Sequence, residues 1–63
     1  METQLLGACS NGNVEEIKQL LNNEQINLNK TNNLGRTPLY NACENGHIEI
    51  VRLLLNDIRV DVI

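Results

Sequence analysis

The chain is almost without aromatic side chains: Tyr40 stands alone, and phenylalanine and tryptophan are absent. A core must therefore be built from Leu, Ile, Val and Ala. No apolar run approaches the roughly 18 residues that a membrane-spanning helix needs. No basic start followed by an apolar stretch announces a secretory signal. With two cysteines and no such signal, the expected setting is a reducing one, cytoplasmic or nuclear, with both thiols free. Basic residues are few as well. Lys18, Lys30, Arg36, Arg52 and Arg59 are scattered among acids, and the net charge is −3. That balance disfavours a nucleic-acid phosphate backbone as partner. Neither nucleic acid nor membrane is expected to bind. A Gly-rich phosphate loop is missing too.

What the chain does contain is itself, twice. Thr3 to Leu21 reappears 34 residues later as Thr37 to Leu55. When residues 1–29 are set against 35–63, ten of the 29 pairs are identical, among them Thr3/Thr37, Ala8/Ala42, Cys9/Cys43, Gly12/Gly46 and Leu21/Leu55. A fixed period of this length signals stacked helical repeats, in which one unit cannot bury its apolar face alone. At 63 residues such a chain is close to the lower limit for an independent core.

The local signals agree with an all-α reading. Thr37-Pro38 starts a helix: Thr caps free backbone N–H groups, and Pro tolerates the first helical position. Leu39, Ala42 and Cys43 then share one face. Glu44-Asn45-Gly46 ends that helix, and a second run from about Ile48 places Ile48, Val51, Leu54 and Leu55 together. The first copy reads as a helix over about Gln4 to Ser10, a turn at Asn11-Gly12 and a helix from Val14 to Leu21. Residues 22–36 between the copies read as a long turn or short hairpin finger. Eleven asparagines suit turns and caps, although base composition explains that number as readily.

The string Asn32-Asn33-Leu34-Gly35-Arg36-Thr37-Pro38-Leu39-Tyr40, followed by Ala42-Cys43, Asn45-Gly46-His47-Ile48 and Leu53-Leu54-Leu55, resembles the ankyrin repeat. The resemblance covers nearly the whole chain. It implies an ankyrin-type solenoid of two helix-turn-helix repeats joined by a finger loop, residues 1–34 and 35–63. Asn32 stands where the family has Asp, and Tyr40 replaces a histidine that ties neighbouring fingers. The loops at residues 25–29 and 59–63 lack the family's Gly and run one residue longer. The resemblance further implies a concave surface that binds another protein. Carried over position by position, that surface is Asn33, Leu34 and Arg36 on the finger, Glu44 and Asn45 at the end of the inner helix, and Ser10 and Asn11 as their first-copy equivalents.

Differences between the copies separate their two ends. Ile50 and Leu53 correspond to Glu16 and Gln19, so the first repeat is polar where a preceding repeat would pack, as a cap requires. Met1 just ahead agrees with a natural start. The opposite face keeps its apolar residues in both copies: Ile17 and Leu21 match Val51 and Leu55. Val51, Leu54 and Leu55, with Ile58, Val60, Val62 and Ile63, are expected to form an open apolar end. That end calls for a further repeat or for self-association as a homodimer.

Reactive chemistry is sparse. Cys9 and Cys43 are expected to be buried, reduced, small packing residues, since stacked helices lie too far apart for the roughly 7 Å that a disulfide allows between Cα atoms. Cys9, Cys43 and His47 fall short of a four-ligand zinc site. His47 is read as a turn residue bonding locally to backbone. Glu15 and Glu49 sit in first turns, where an acid favours the helix dipole. Ser10 and Thr37 lack a base and an orienting acid. Asn29-Lys30-Thr31 matches a glycosylation acceptor but reads as ordinary loop in a chain without a secretory signal. The chain is thus expected to be a non-catalytic protein-interaction module without cofactor or metal. The alternative is a capping segment of a larger protein whose working domain lies outside it.

Overall fold

The computed structural model describes residues 2–60. Among these are four helices and no strand: α1 (Glu2–Asn11), α2 (Val14–Leu21), α3 (Pro38–Glu44) and α4 (Ile48–Leu55). α1 is longer at both ends than the periodicity suggests; the other boundaries fall where the caps put them. Asn13 Oδ1 accepts from the Glu16 N–H at 3.2 Å to cap α2. Thr37 Oγ1 accepts from the Tyr40 N–H at 3.1 Å to cap α3, with Pro38 following.

α1 packs on α2 and on α3, while α4 packs on α3 and α2. The helices therefore form two antiparallel pairs laid side by side, inner α1 and α3, outer α2 and α4. Leu5, Cys9, Ile17, Ala42, Ile50 and Leu54 are fully buried, and Ala8, Ile26 and Leu28 nearly so. Ile50 and Leu53 face the first pair as expected: Ile50 has no exposed surface, and Leu53 packs half-buried against the core. Across the same boundary the first pair contributes Ala8, Cys9 and Ile17.

Three polar ties flank this apolar seam. At one end, His47 Nε2 lies 3.1 Å from the Ser10 carbonyl oxygen. The local role expected for His47 is therefore corrected, because its ring bridges the two repeats and makes no cap bond to α4. At the other end, the Arg59 guanidinium donates to the carbonyls of Leu21 (2.8 Å) and Asn23 (2.7 Å), satisfying the open C-terminus of α2. Asp57 holds that guanidinium in place at 2.7 Å, and Asn29 Nδ2 donates to the Arg59 carbonyl at 2.8 Å. Arg59, counted among scattered surface charges in the sequence, is a structural clamp.

The asparagines have specific structural work here. Asn23 and Asn27 each accept, through Oδ1, from the N–H two residues on, at 2.9 Å. Asp57 does the same for Arg59 at 2.9 Å, at the position 34 residues after Asn23. These Asx turns hold loop backbone that has no sheet partner.

Candidate protein-binding surface

The finger between the helix pairs is locked by Asn32. Its Oδ1 accepts from the N–H groups of Leu34 (2.8 Å) and Arg36 (3.0 Å), and its own N–H donates to the Arg36 carbonyl at 2.9 Å. The Gly35 N–H closes the turn on the Asn32 carbonyl at 3.0 Å. Asn in place of the family's Asp thus still supplies the acceptor that the turn needs. The lock presents Asn33 and Leu34 at the tip, and Leu34 is 72% exposed.

Arg36 leads from the finger onto α3. Its guanidinium carbon lies 5.1 Å from the centre of the Tyr40 ring, and its Nη1 donates to Glu44 Oε1 at 2.9 Å. A cation over a ring and a carboxylate one helical turn further make a fixed ridge along the inner helix. Of the expected residues, the structure brings Arg36 and Glu44 into direct contact. Asn45 continues the line by donating through Nδ2 to the Asn41 carbonyl at 2.8 Å. Ser10 and Asn11 are exposed at the end of α1, and the Ser10 carbonyl is occupied by His47. Tyr40 belongs to the ridge, although in the sequence it stands out only as a departure from the family pattern. The spacing 36, 40, 44 was the available signal.

A groove of about 440 Å³ runs between α1 and the near limb of the finger, with Asn41 of α3 contributing to its lining. Glu2 stands at its α1 end. The Asn27 N–H, at 3.0 Å from its Oε2, holds the Glu2 carboxyl below its ordinary value.

The C-terminal face departs from expectation in two places. Leu54, placed on the self-association surface, is fully buried within the chain's own core, because α4 turns it toward α2 and α3. Cys43, expected to be buried like Cys9, is exposed. Cys9 lies inside the seam covered by the second repeat, and the 34-residue shift carries Cys43 to the outer side of α3. Val51 is half-buried, Leu55 51% exposed and Ile58 fully exposed. Val62 and Ile63, assigned to the same face, lie outside the described residues. Among the described residues no three His, Cys, Asp or Glu side chains gather as a metal site would need, and no helix is long and apolar enough to cross a membrane.

Paired antiparallel helices, stacked at a 34-residue period with a finger loop between them, define a helical repeat protein. The family model described as ankyrin repeats (3 copies) matches residues 2–63, and the chain belongs to the ankyrin repeat family. That model spans three copies, whereas the internal similarity here counts two. No curated protein and no solved structure matches the chain. Ankyrin repeats are in general non-catalytic modules of protein–protein interaction.

Proposed function

We propose that this chain binds another protein through the concave side formed by α1, α3 and the finger. The observation that carries the reading is Leu34: a large aliphatic side chain, 72% exposed, held on a turn that Asn32 fixes with two accepted hydrogen bonds. Displaying an apolar group on rigid backbone favours binding, since little ordering remains to be done when a partner arrives. Asn33, Arg36, Glu44 and Asn45, with Ser10 and Asn11, would form the polar surround that such an anchor uses. The repeat units 1–34 and 35–63 and an intracellular setting go with this reading. It is tested by photo-crosslinking amino acids placed singly at Leu34, Tyr40, Glu15 and Glu24. Crosslinks to one protein from the first two positions and not the last two support it. Crosslinks spread evenly over all four positions, or none from Leu34 and Tyr40, overturn it.

A second reading is favoured by the contrast between equivalent positions. Cys9 and Ile17 are fully buried, whereas Cys43 is exposed and Val51 half-buried. On this reading the C-terminal face pairs with a second copy through Val51 and Leu55, giving a homodimer. Sedimentation equilibrium decides it: a dimer dissociated by Leu55→Lys is expected, and a monomer at all concentrations sinks it.

A further inference from the structure

Glu2 and Arg59 stand near opposite ends of the described residues, and they share neither a hydrogen bond nor an ion pair. Both nevertheless hold the same loop, residues 22–29. Arg59 grips it from the second repeat. Its guanidinium takes the carbonyls of Leu21 and Asn23, and its own carbonyl accepts from Asn29 Nδ2 at 2.8 Å. Glu2 grips it from the first helix, where Oε2 accepts from the Asn27 N–H at 3.0 Å. The start of α1 is a favourable place for that carboxylate, beside the positive end of the helix dipole.

The two grips are joined by an unbroken line of hydrogen bonds. Asn27 gives its N–H to Glu2, and its Oδ1 accepts from the Asn29 N–H at 2.9 Å. Asn29 then donates to the Arg59 carbonyl. Beyond it, the Asp57 carboxylate accepts from the Arg59 N–H, Nε and Nη2 at 2.9, 3.0 and 2.7 Å. The Val60 N–H closes the turn on the Asp57 carbonyl at 3.1 Å. Between the grips the loop is weakly braced by its own backbone: the Ile26 N–H reaches the Asn23 carbonyl only at 3.4 Å. Ile26 and Leu28 seat its apolar side in the core, but apolar contact does not fix where peptide groups point. Direction comes from the polar line, in which each bond places the next donor.

We propose that the turn at residues 57–60 is a strap whose hold on residues 22–29 is relayed through Asn29 and Asn27 to Glu2, so that the strap and the start of α1 tighten and loosen together. The crest of the strap is Ile58, fully exposed. A disturbance there is thus passed to the opposite end of the chain without any contact between the two. The coupling is reciprocal, as linkage requires. It needs no partner on the concave side and is independent of that reading.

The test is residue-by-residue amide exchange in the whole chain. Arg59→Met keeps the apolar stem and removes every donor of the fork. Exchange at the Asn27 amide should quicken about tenfold relative to the Leu54 amide, as local opening of the loop requires. The Glu2 carboxyl, held low first by the Asn27 N–H, should titrate closer to its ordinary 4.5, while Lys30 still acts on it. Asn29→Ala, which leaves the guanidinium fork intact, should give the same two changes, and it carries the test if Arg59→Met does not fold. Glu2→Gln should quicken exchange at the Arg59 amide. Equal acceleration at Asn27 and Leu54 would make Arg59 a general stabiliser and overturn the relay. An unchanged Asn27 amide or an unmoved Glu2 titration in Asn29→Ala overturns it as well.

Discussion

The imidazole of His47 occupies the space that a side chain on Gly12 would need. A Cβ built on Gly12 would lie 2.6 Å from His47 Cε1, while His47 Nε2 sits 3.1 Å from the Ser10 carbonyl oxygen. Gly12 also has φ +77°. Two independent constraints, one local and one from the neighbouring repeat, therefore meet on one residue.

Its equivalent, Gly46, carries only the local constraint: φ is +72° and an added Cβ meets nothing within 4 Å. Gly46→Ala should cost about 1–2 kcal/mol, the strain of a left-handed residue with a Cβ. Gly12→Ala should cost about 1–3 kcal/mol more, since the His47 ring must be displaced. Urea melts of both variants check this, and adding His47→Ala should relieve only the Gly12→Ala excess. Equal losses for the two glycines would show that the ring yields freely.

The two cysteines should differ in reactivity. Burial pushes the Cys9 thiol up to about 12, which leaves about one part in 10⁴ as thiolate at about pH 8. Cys43 is exposed. A thiol-disulfide reagent should titrate one thiol of the native chain quickly and the second only on unfolding. Cys43→Ser should abolish the fast phase, and two equal phases would place Cys9 outside the seam.

Adjacent leucines on α4 have opposite fates. Leu54 has no exposed surface and Leu55 is 51% exposed. Leu54→Ala should cost about 2–5 kcal/mol. Leu55→Ala should cost under about 1 kcal/mol in dilute solution, where no association covers it. Glu16→Ala, on the polar outer face, should cost under about 0.5 kcal/mol. Denaturant midpoints rank the three, and a loss for Leu55→Ala matching that of Leu54→Ala would contradict the burial assigned here.

The Arg59 clamp predicts an acid-sensitive step. Hydrogen bonds from Arg59 hold the Asp57 carboxyl below its ordinary 3.8. A carboxyl depressed in the folded state stabilises the fold fully above its unfolded value and loses that contribution as pH falls through the folded one. Stability should therefore decline below about pH 4, with Glu2, also held low, adding to the slope. Asp57→Asn should flatten this acid limb in melting temperatures taken from pH 7 downward. Arg59→Lys should lower the melting temperature at neutral pH, because an ammonium cannot reproduce the fork that spans two carbonyls and a carboxylate. An unchanged acid limb in Asp57→Asn would remove the clamp from the account.

The four helices could be read from the chain because each rests on local signals: Thr37-Pro38, the Asn-Gly turns and apolar spacings repeated at 34 residues. The polar first face and Ile50 at the seam followed from comparing the copies. The contacts that escaped are long-range ties between side chains and backbone, 25 to 38 residues apart. Arg59 on Leu21 and His47 on Ser10 have no periodic signature, since each joins a side chain to another repeat's backbone. Backbone carbonyls look alike in every sequence. Cys43 and Leu54 depart from expectation for a related reason. Equivalence between repeats transfers position but not surroundings, and the surroundings change at the last repeat. Asn32 and Arg36 could be placed by family pattern, whereas the contacts of Arg36 with Tyr40 and Glu44 became visible only in the folded chain.

The polar ties at the two ends of the seam have a consequence for how the helix pairs can move. The apolar contact of α2 and α4 is made by non-directional side chains such as Ile17 and Ile50, which adhere by area removed from water. His47 on Ser10 at one end and Arg59 on Leu21 and Asn23 at the other can be satisfied together in one registration only. A slip that relieved one would break the other. The apolar seam supplies most of the adhesion, and the two terminal pins act as a vernier that sets where along their length the pairs stop.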